Sequence, residues 1–294
     1  MERVSTKRLT AGEARKLAGN EYQKALSKLY SQLCYRFSRH EVWQDAIWMF
    51  ACAISNSIDL RHFDEREAAY MRIVQKYDEK ELKVFPQLFG AIVNGMEEHS
   101  DCDFLGELYM ELELGNKHGG QFFTPYHLCR AMARVNITEE LVAAEMERQG
   151  YISINDCACG AGATLVAAAN WLKEMDFDCQ SNALFVAQDI DSTTALMCYI
   201  QLSLLGCPGY VIIGDTLAAP QTGDVLLGED SSRCWFTPMY FLRAWQMRRH
   251  VHGARRTLAK SGYEKPDEPR PAFTVSTRKK NAGQIMFDFG GSRG

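Results

Sequence analysis

The chain has 294 residues and 46% hydrophobic content, enough to bury a core in one large unit or two modest ones. Its ten cysteines are scattered without a Cys-x-x-Cys pair and no secretory leader is recognised, which excludes a disulfide scaffold and predicts reduced, mostly buried thiols in a cytoplasmic protein with no metal. No apolar run approaches the roughly 18–20 residues of a membrane span, and the net charge of −4 conceals an acidic body followed by a basic arm.

From Ala11 to about Gly115 the apolar residues keep helical spacing, as in Ala25, Leu26, Leu29, Tyr30, Leu33 and again in Val42, Ala46, Ile47, Phe50, Ala51, Ile54. Strand signals are nearly absent, so residues 1–115 read as a helical N-terminal domain. Glu97 to Asp101 is its polar break before a last helix at Phe104 to Glu113.

After Gly115 short apolar runs alternate with helical stretches. Tyr151 to Asn155, Ala183 to Ile190 and Tyr210 to Ile213 read as buried strands, and Gly162 to Lys173 and Ser192 to Leu205 as helices. Such alternation predicts an α/β fold, a doubly wound, mostly parallel sheet over residues 116–248. Residues 249–294 read as a basic, loosely ordered tail containing Lys265-Pro266-Asp267-Glu268-Pro269-Arg270-Pro271 and a Gly-rich end. Between residues 241 and 280, eleven Lys or Arg face three acids, a balance of +8, against −12 for residues 1–240. That asymmetry suits binding to phosphates and equally suits a solvated tail.

Three strand ends carry the chemistry. Asp156-Cys157-Ala158-Cys159-Gly160-Ala161-Gly162 leads from a strand into a helix, where small residues admit a ligand to the backbone and the helix offers free N–H groups. A dinucleotide fingerprint needs a third glycine at its fixed spacing, and position 165 is Leu, which disfavours NAD. The next strand ends in Asp189, a carboxylate able to accept two ribose hydroxyls, while Asp191 is better placed to cap the helix that follows. The third runs through Val211 to Gly214-Asp215-Thr216-Leu217, again placing an acid where ligands of open sheets sit.

Together with Gly120-Gln121-Phe122-Phe123-Thr124-Pro125, these motifs resemble the adenine-N6 DNA methyltransferases, in particular the modification subunits of type I restriction systems. The likeness covers residues 119–217 with high specificity, and Leu105-Gly106-Glu107-Leu108-Tyr109 more loosely. It implies S-adenosylmethionine as cofactor and a Rossmann-like methyltransferase domain. It further implies Phe123, Thr124 and Pro125 with Asp156, Cys159, Gly160 and Gly162 around the methionine part, Asp189 at the ribose, and Asp215 with Leu217 near the adenine. Thr124 and Pro125 would equally serve as cap and first residue of a plain helix.

The sequence departs from the family where the acceptor should lie. Methylating an exocyclic amine needs a flipped adenine, an acceptor for its protons and an aromatic face. The family supplies these with Asn or Asp, Pro-Pro and Phe or Tyr after the fourth strand, and this chain has no Pro-Pro. Gly223 to Leu227 is the candidate fourth strand. Glu229 and Asp230 then stand at the acceptor's position unless they belong to a polar loop, and Tyr240, in the run Trp235 to Phe241, is the candidate ring.

The implied activity is transfer of a methyl group to adenine N6 in DNA. The alternative is a catalytically inactive, cofactor-binding relative that binds DNA or a protein. Expected partners are DNA through the basic residues of 241–280 and a specificity subunit or a second copy of the chain. Gln284 to Phe289 also resembles the peptides that dock on bacterial sliding clamps.

Overall fold

β-branched and aromatic runs bounded by small residues make the centre of a sheet, and they do so in the computed structural model, which describes residues 24–112, 114, 123–221, 226–228, 233–260 and 284–286. A helix over 24–33 (α1) comes first. It is followed by α2 (Arg39–Asn56), α3 (Phe63–Val74), α4 (Glu79–Leu82), α5 (Val84–Glu98), α6 (Phe104–Glu111), α7 (Tyr126–Asn136) and α8 (Glu139–Gln149). The alternating part then runs β1 (Ile152–Asp156), α9 (Ala163–Glu174), α10 (Cys179–Asn182), β2 (Ala183–Asp189), α11 (Ser192–Leu204) and β3 (Gly209–Ile213). It ends with β4 (Cys234–Phe236), a 3₁₀ turn (Pro238–Phe241), α12 (Arg243–Lys260) and β5 (Gln284–Met286).

The fold is α/β, with the sheet ordered β4-β3-β2-β1-β5. β5, β1, β2 and β3 are parallel and β4 is antiparallel to β3. In register, Asn155 lies beside Val186 and Met286, and Val186 beside Tyr210. Two expectations are corrected here. No strand forms at Leu226 and Leu227, while Gly223 to Val225 lie outside the described residues; the strands that complete the sheet are the short β4 and β5. Helix α12 also runs straight through position 249, where a loose tail was expected to begin.

Alternation along the strands divides the interior. Ile152, Ile154, Phe185, Ala187 and Val211 face the larger core with α2, α6, α9 and α11. Leu184, Val186, Tyr210 and Ile212 face a smaller core closed by Phe236, Tyr240 and Trp245. Helix α11 is buried continuously from Thr193 to Ser203, and a helix buried on every side needs cover beyond the sheet. Helix α2 supplies it: Trp43 donates from Nε1 to Met197 Sδ at 3.5 Å, and Trp48 meets Trp235 edge to face at 5.6 Å. Residues on both sides of position 115 therefore share one core. Each fully buried aromatic in it stabilises the fold by about 1.5–3 kcal/mol.

Helix α12 is fastened by one arginine. Arg248 donates to Gly150 O at 2.7 Å, Asn182 Oδ1 at 3.1 Å and Ser181 O, with its guanidinium 4.6 Å from the Trp245 ring centre. All ten cysteines are unpaired, and among the described residues no helix is long and apolar enough to cross a membrane.

Candidate functional site

The carboxyl ends of β1, β2 and β3 are tied into one edge by hydrogen bonds that run between their loops. After β1, Gly160 N–H donates to Asp189 Oδ2 at 2.8 Å and Cys159 N–H to Gln188 O at 3.1 Å. After β3, Gly214 N–H donates to Asp189 O at 2.8 Å and Thr216 Oγ1 to Cys157 O at 2.5 Å. Asp189 thus stands at the centre of the edge. Its Oδ1 also accepts from Asp191 N–H at 2.9 Å.

The turn after β1 needs its glycines. Gly160 and Gly162 have φ of 52° and 98°, in the left-handed region that side chains disfavour. A Cβ on Gly162 would lie 2.7 Å from Cys198 Sγ, and one on Gly160 would lie 3.1 Å from Phe123 Cε1. The second contact seats the Phe123 ring directly over the glycine turn. Phe123 also packs on Tyr109, with ring centres 5.6 Å apart, so α6 and the segment before α7 close over the start of the edge.

Asp156 is 1% exposed; its Oδ1 accepts from Ala158 N–H at 3.1 Å and its Oδ2 from the Thr164 hydroxyl. Burial pushes the Asp156 and Asp189 carboxyls above the usual range. The neighbouring Cys198 thiol and then burial push the Cys159 thiol well up, so it is a neutral packing group. Asp215 is exposed, and its Oδ1 accepts from Leu217 N–H at 2.8 Å and Ala218 N–H at 3.4 Å. Leu217 is 95% exposed at the mouth of the edge.

Phe123, Asp156, Cys159, Gly160, Gly162 and Asp189 come together at this edge, and Asp215 and Leu217 flank it through the Gly214 and Thr216 bonds. Asp191 caps α11, accepting from Thr193 and Thr194 N–H at 2.9 Å. Thr124 makes no cap, because α7 starts at Tyr126 with Pro125 in the capping position. Gly120 to Phe122, Glu229 and Asp230 lie outside the described residues.

Tyr240 is a correction. Its ring is fully buried, stacked on Phe236 at 5.3 Å, under the Arg249 guanidinium, with its hydroxyl donating to Leu227 O at 2.9 Å. It packs the smaller core and presents no free face to a base. The clamp-like peptide is likewise altered: Gln284 to Met286 is paired along β1 as β5, and Phe287 to Phe289 lie outside the described residues.

Two positioning residues escaped the sequence. Gln188, 1% exposed, accepts from Gln221 N–H at 3.1 Å and donates to Ala219 O at 3.0 Å, holding the loop after β3. Gln201 donates to Ala161 O at 2.8 Å and Asp103 Oδ1 at 2.7 Å, fixing the glycine turn to α6. The only hint of either was an amide within an otherwise buried element.

Residues 101–237 match the N-6 DNA Methylase family. The chain is a relative of the N-6 DNA methylases. The matched stretch starts two residues before Asp103, contains the whole three-strand edge and stops at Thr237. Similar solved structures include the type I restriction-modification methyltransferase subunit of Streptococcus thermophilus, at 14% identity and TM-score 0.40 over 70% of this chain and 60% of that one. Another is a protein of Listeria monocytogenes described as a class I S-adenosylmethionine-dependent methyltransferase, at 18% identity and TM-score 0.36 over 71% of this chain and 57% of that one. This N-6 DNA methylase relative thus spans less than two thirds of either, and no curated protein matches it.

Proposed function

We propose that the chain binds S-adenosylmethionine along the carboxyl edge of β1 to β3 and serves adenine-N6 methylation of DNA. The observation that carries this reading is the junction of Phe123, Gly160 and Asp189, where an aromatic ring covers a side-chain-free turn whose N–H is held by the acid of the next strand. The residues fit the group. The left-handed glycines leave a cradle that a Cβ would fill, and Asp189 stands where ribose hydroxyls would donate. Leu217 offers an exposed apolar surface for an adenine ring to cover. The bound cofactor would supply a sulfonium methyl group; the chain's own part is to hold it in line and exclude water.

DNA binding through the basic residues of 241–280 belongs to the same proposal, with a change of cast. Arg248 and Arg249 are engaged within the fold, which leaves Arg243 and Arg255 as the exposed basic candidates of α12 named here. A specificity subunit or a second copy of the chain is part of the same reading, as is a cytoplasmic setting.

Incubation with methyl-labelled cofactor and mixed-sequence DNA, alone and with a specificity subunit, tests the activity. Label in DNA at adenine N6 is the expected result, and cofactor binding without any DNA label overturns it. That second outcome is what the inactive, cofactor-binding alternative expects, and one observation favours it: Tyr240, the candidate stacking ring, is sealed in the core.

A further inference from the structure

An open cleft of about 570 Å³ lies against Phe123 on the side away from the sheet, between α6 and the start of α7. Its two walls differ in charge. On one wall are Asp103 and Glu107. Asp103 is 3% exposed, and both of its hydrogen bonds, from Gln201 Nε2 at 2.7 Å and Gly106 N–H at 3.1 Å, fall on Oδ1. Oδ2 lines the cleft with no hydrogen bond among the described residues. Glu107 is open to the cleft, and no described residue pairs with it.

Facing them are Thr124 and the first turn of α7, an 11-residue helix whose capping residue, Pro125, offers no side-chain acceptor to the leading amides. Such amides and the helix dipole favour an anion. Asp101, also on the rim, is already used by Tyr126 and Arg130. The cleft therefore has a cation-seeking wall opposite an anion-seeking helix end, the two poles of an α-amino acid.

We propose that Glu107, backed by Asp103, receives the α-ammonium group of the cofactor's methionyl end, and that the first turn of α7 receives its carboxylate. This inference rests on the reading that the cofactor is S-adenosylmethionine. The cleft reaches the glycine turn through Phe123, so a methionyl group lying past that ring would enter it. Burial pushes both carboxyls up, Glu107 further through the charge of Asp103, and a bound ammonium would offset that cost.

Calorimetry with S-adenosylmethionine and with 5′-methylthioadenosine, which lacks the amino acid, tests the assignment on wild type and Glu107→Gln. The variant should bind S-adenosylmethionine about tenfold to a hundredfold more weakly and methylthioadenosine as wild type does, since one charge-assisted contact is lost. An equal loss for both ligands, or no loss for S-adenosylmethionine, overturns the inference while leaving the cofactor reading standing. Wild type that binds neither ligand overturns the cofactor reading itself. Glu107 makes no bond within the fold, so an unchanged melting temperature should accompany the loss; Glu107→Asp, which keeps the charge, should recover part of the affinity.

Discussion

Asp189 does two things at one carboxylate: it holds Gly160 N–H and, in the proposed reading, faces the ribose. Substitution by Ala would remove both, so Asp189→Asn is the cleaner variant; loss of a charged acceptor should weaken cofactor binding by roughly 1.5–3 kcal/mol. The pH dependence has a definite sign. Burial holds the folded-state pKa above the ordinary 3.8, so the folded chain binds more protons than the unfolded one between those two values. In that window stability falls as pH rises, and above it the cost is present in full. Cofactor affinity runs the other way, because the ribose hydroxyls need the ionised form: it should fall on acidification at a pH above the usual carboxylate range, and Asp189→Asn should flatten that fall in calorimetric titrations. Gly162 gives a second residue-level expectation. With φ at 98° and Cys198 Sγ 2.7 Å from any added Cβ, Gly162→Ala should cost about 1–3 kcal/mol in denaturant melts, and adding Cys198→Ala should recover only the steric part. The glycines and acids of this edge were legible in the sequence because their spacing is tied to strand ends. Gln188 and Gln201 were not, since an amide earns its role from the loop it happens to meet in space.

Among the elements, β1, β2, β3, α9 and α11 were readable within a residue or two, each being a long apolar run with clear punctuation. The short strands were not. β4 and β5 have three residues each, too few for any periodicity, and they are strands because β3 and β1 offer them unpaired edges. The basic composition of α12 likewise hid a structural part within a chemical one. Arg248 spends its guanidinium on three acceptors and an indole, so Arg248→Ala should destabilise the fold by about 2–4 kcal/mol, and Arg248→Lys should not restore it, because an ammonium cannot span that fork. Arg255 is exposed. If α12 meets DNA, replacing Arg243 and Arg255 by Ala should leave the melting temperature unchanged and reduce the salt slope of DNA affinity by about one to two.

At the scale of the molecule, the helical and α/β halves that differ so plainly in sequence texture are joined by a buried ionic knot. Arg66, 5% exposed on α3, donates to Asp59 Oδ2 at 2.7 Å, to Ser55 Oγ and to Cys234 O at 2.8 Å on β4, while its guanidinium lies 4.3 Å from the Trp235 ring centre. His62 shares the same carboxylate oxygen at 2.8 Å. No spacing rule connects Arg66 to Cys234, 168 residues away, so this contact was invisible in the sequence. Removing the cation leaves Asp59, 1% exposed, buried without its guanidinium partner; Arg66→Ala should therefore cost about 3–5 kcal/mol, a large part of the stability of an ordinary domain. The shared core makes a further demand. Trp43 and Trp48 report on the helical layer and Trp171, Trp235 and Trp245 on the layers around the sheet, so single-tryptophan variants should unfold in one coincident denaturant transition. Two separated transitions, with Arg66→Ala shifting only the first, would mean that the helices dock on an independently folded sheet.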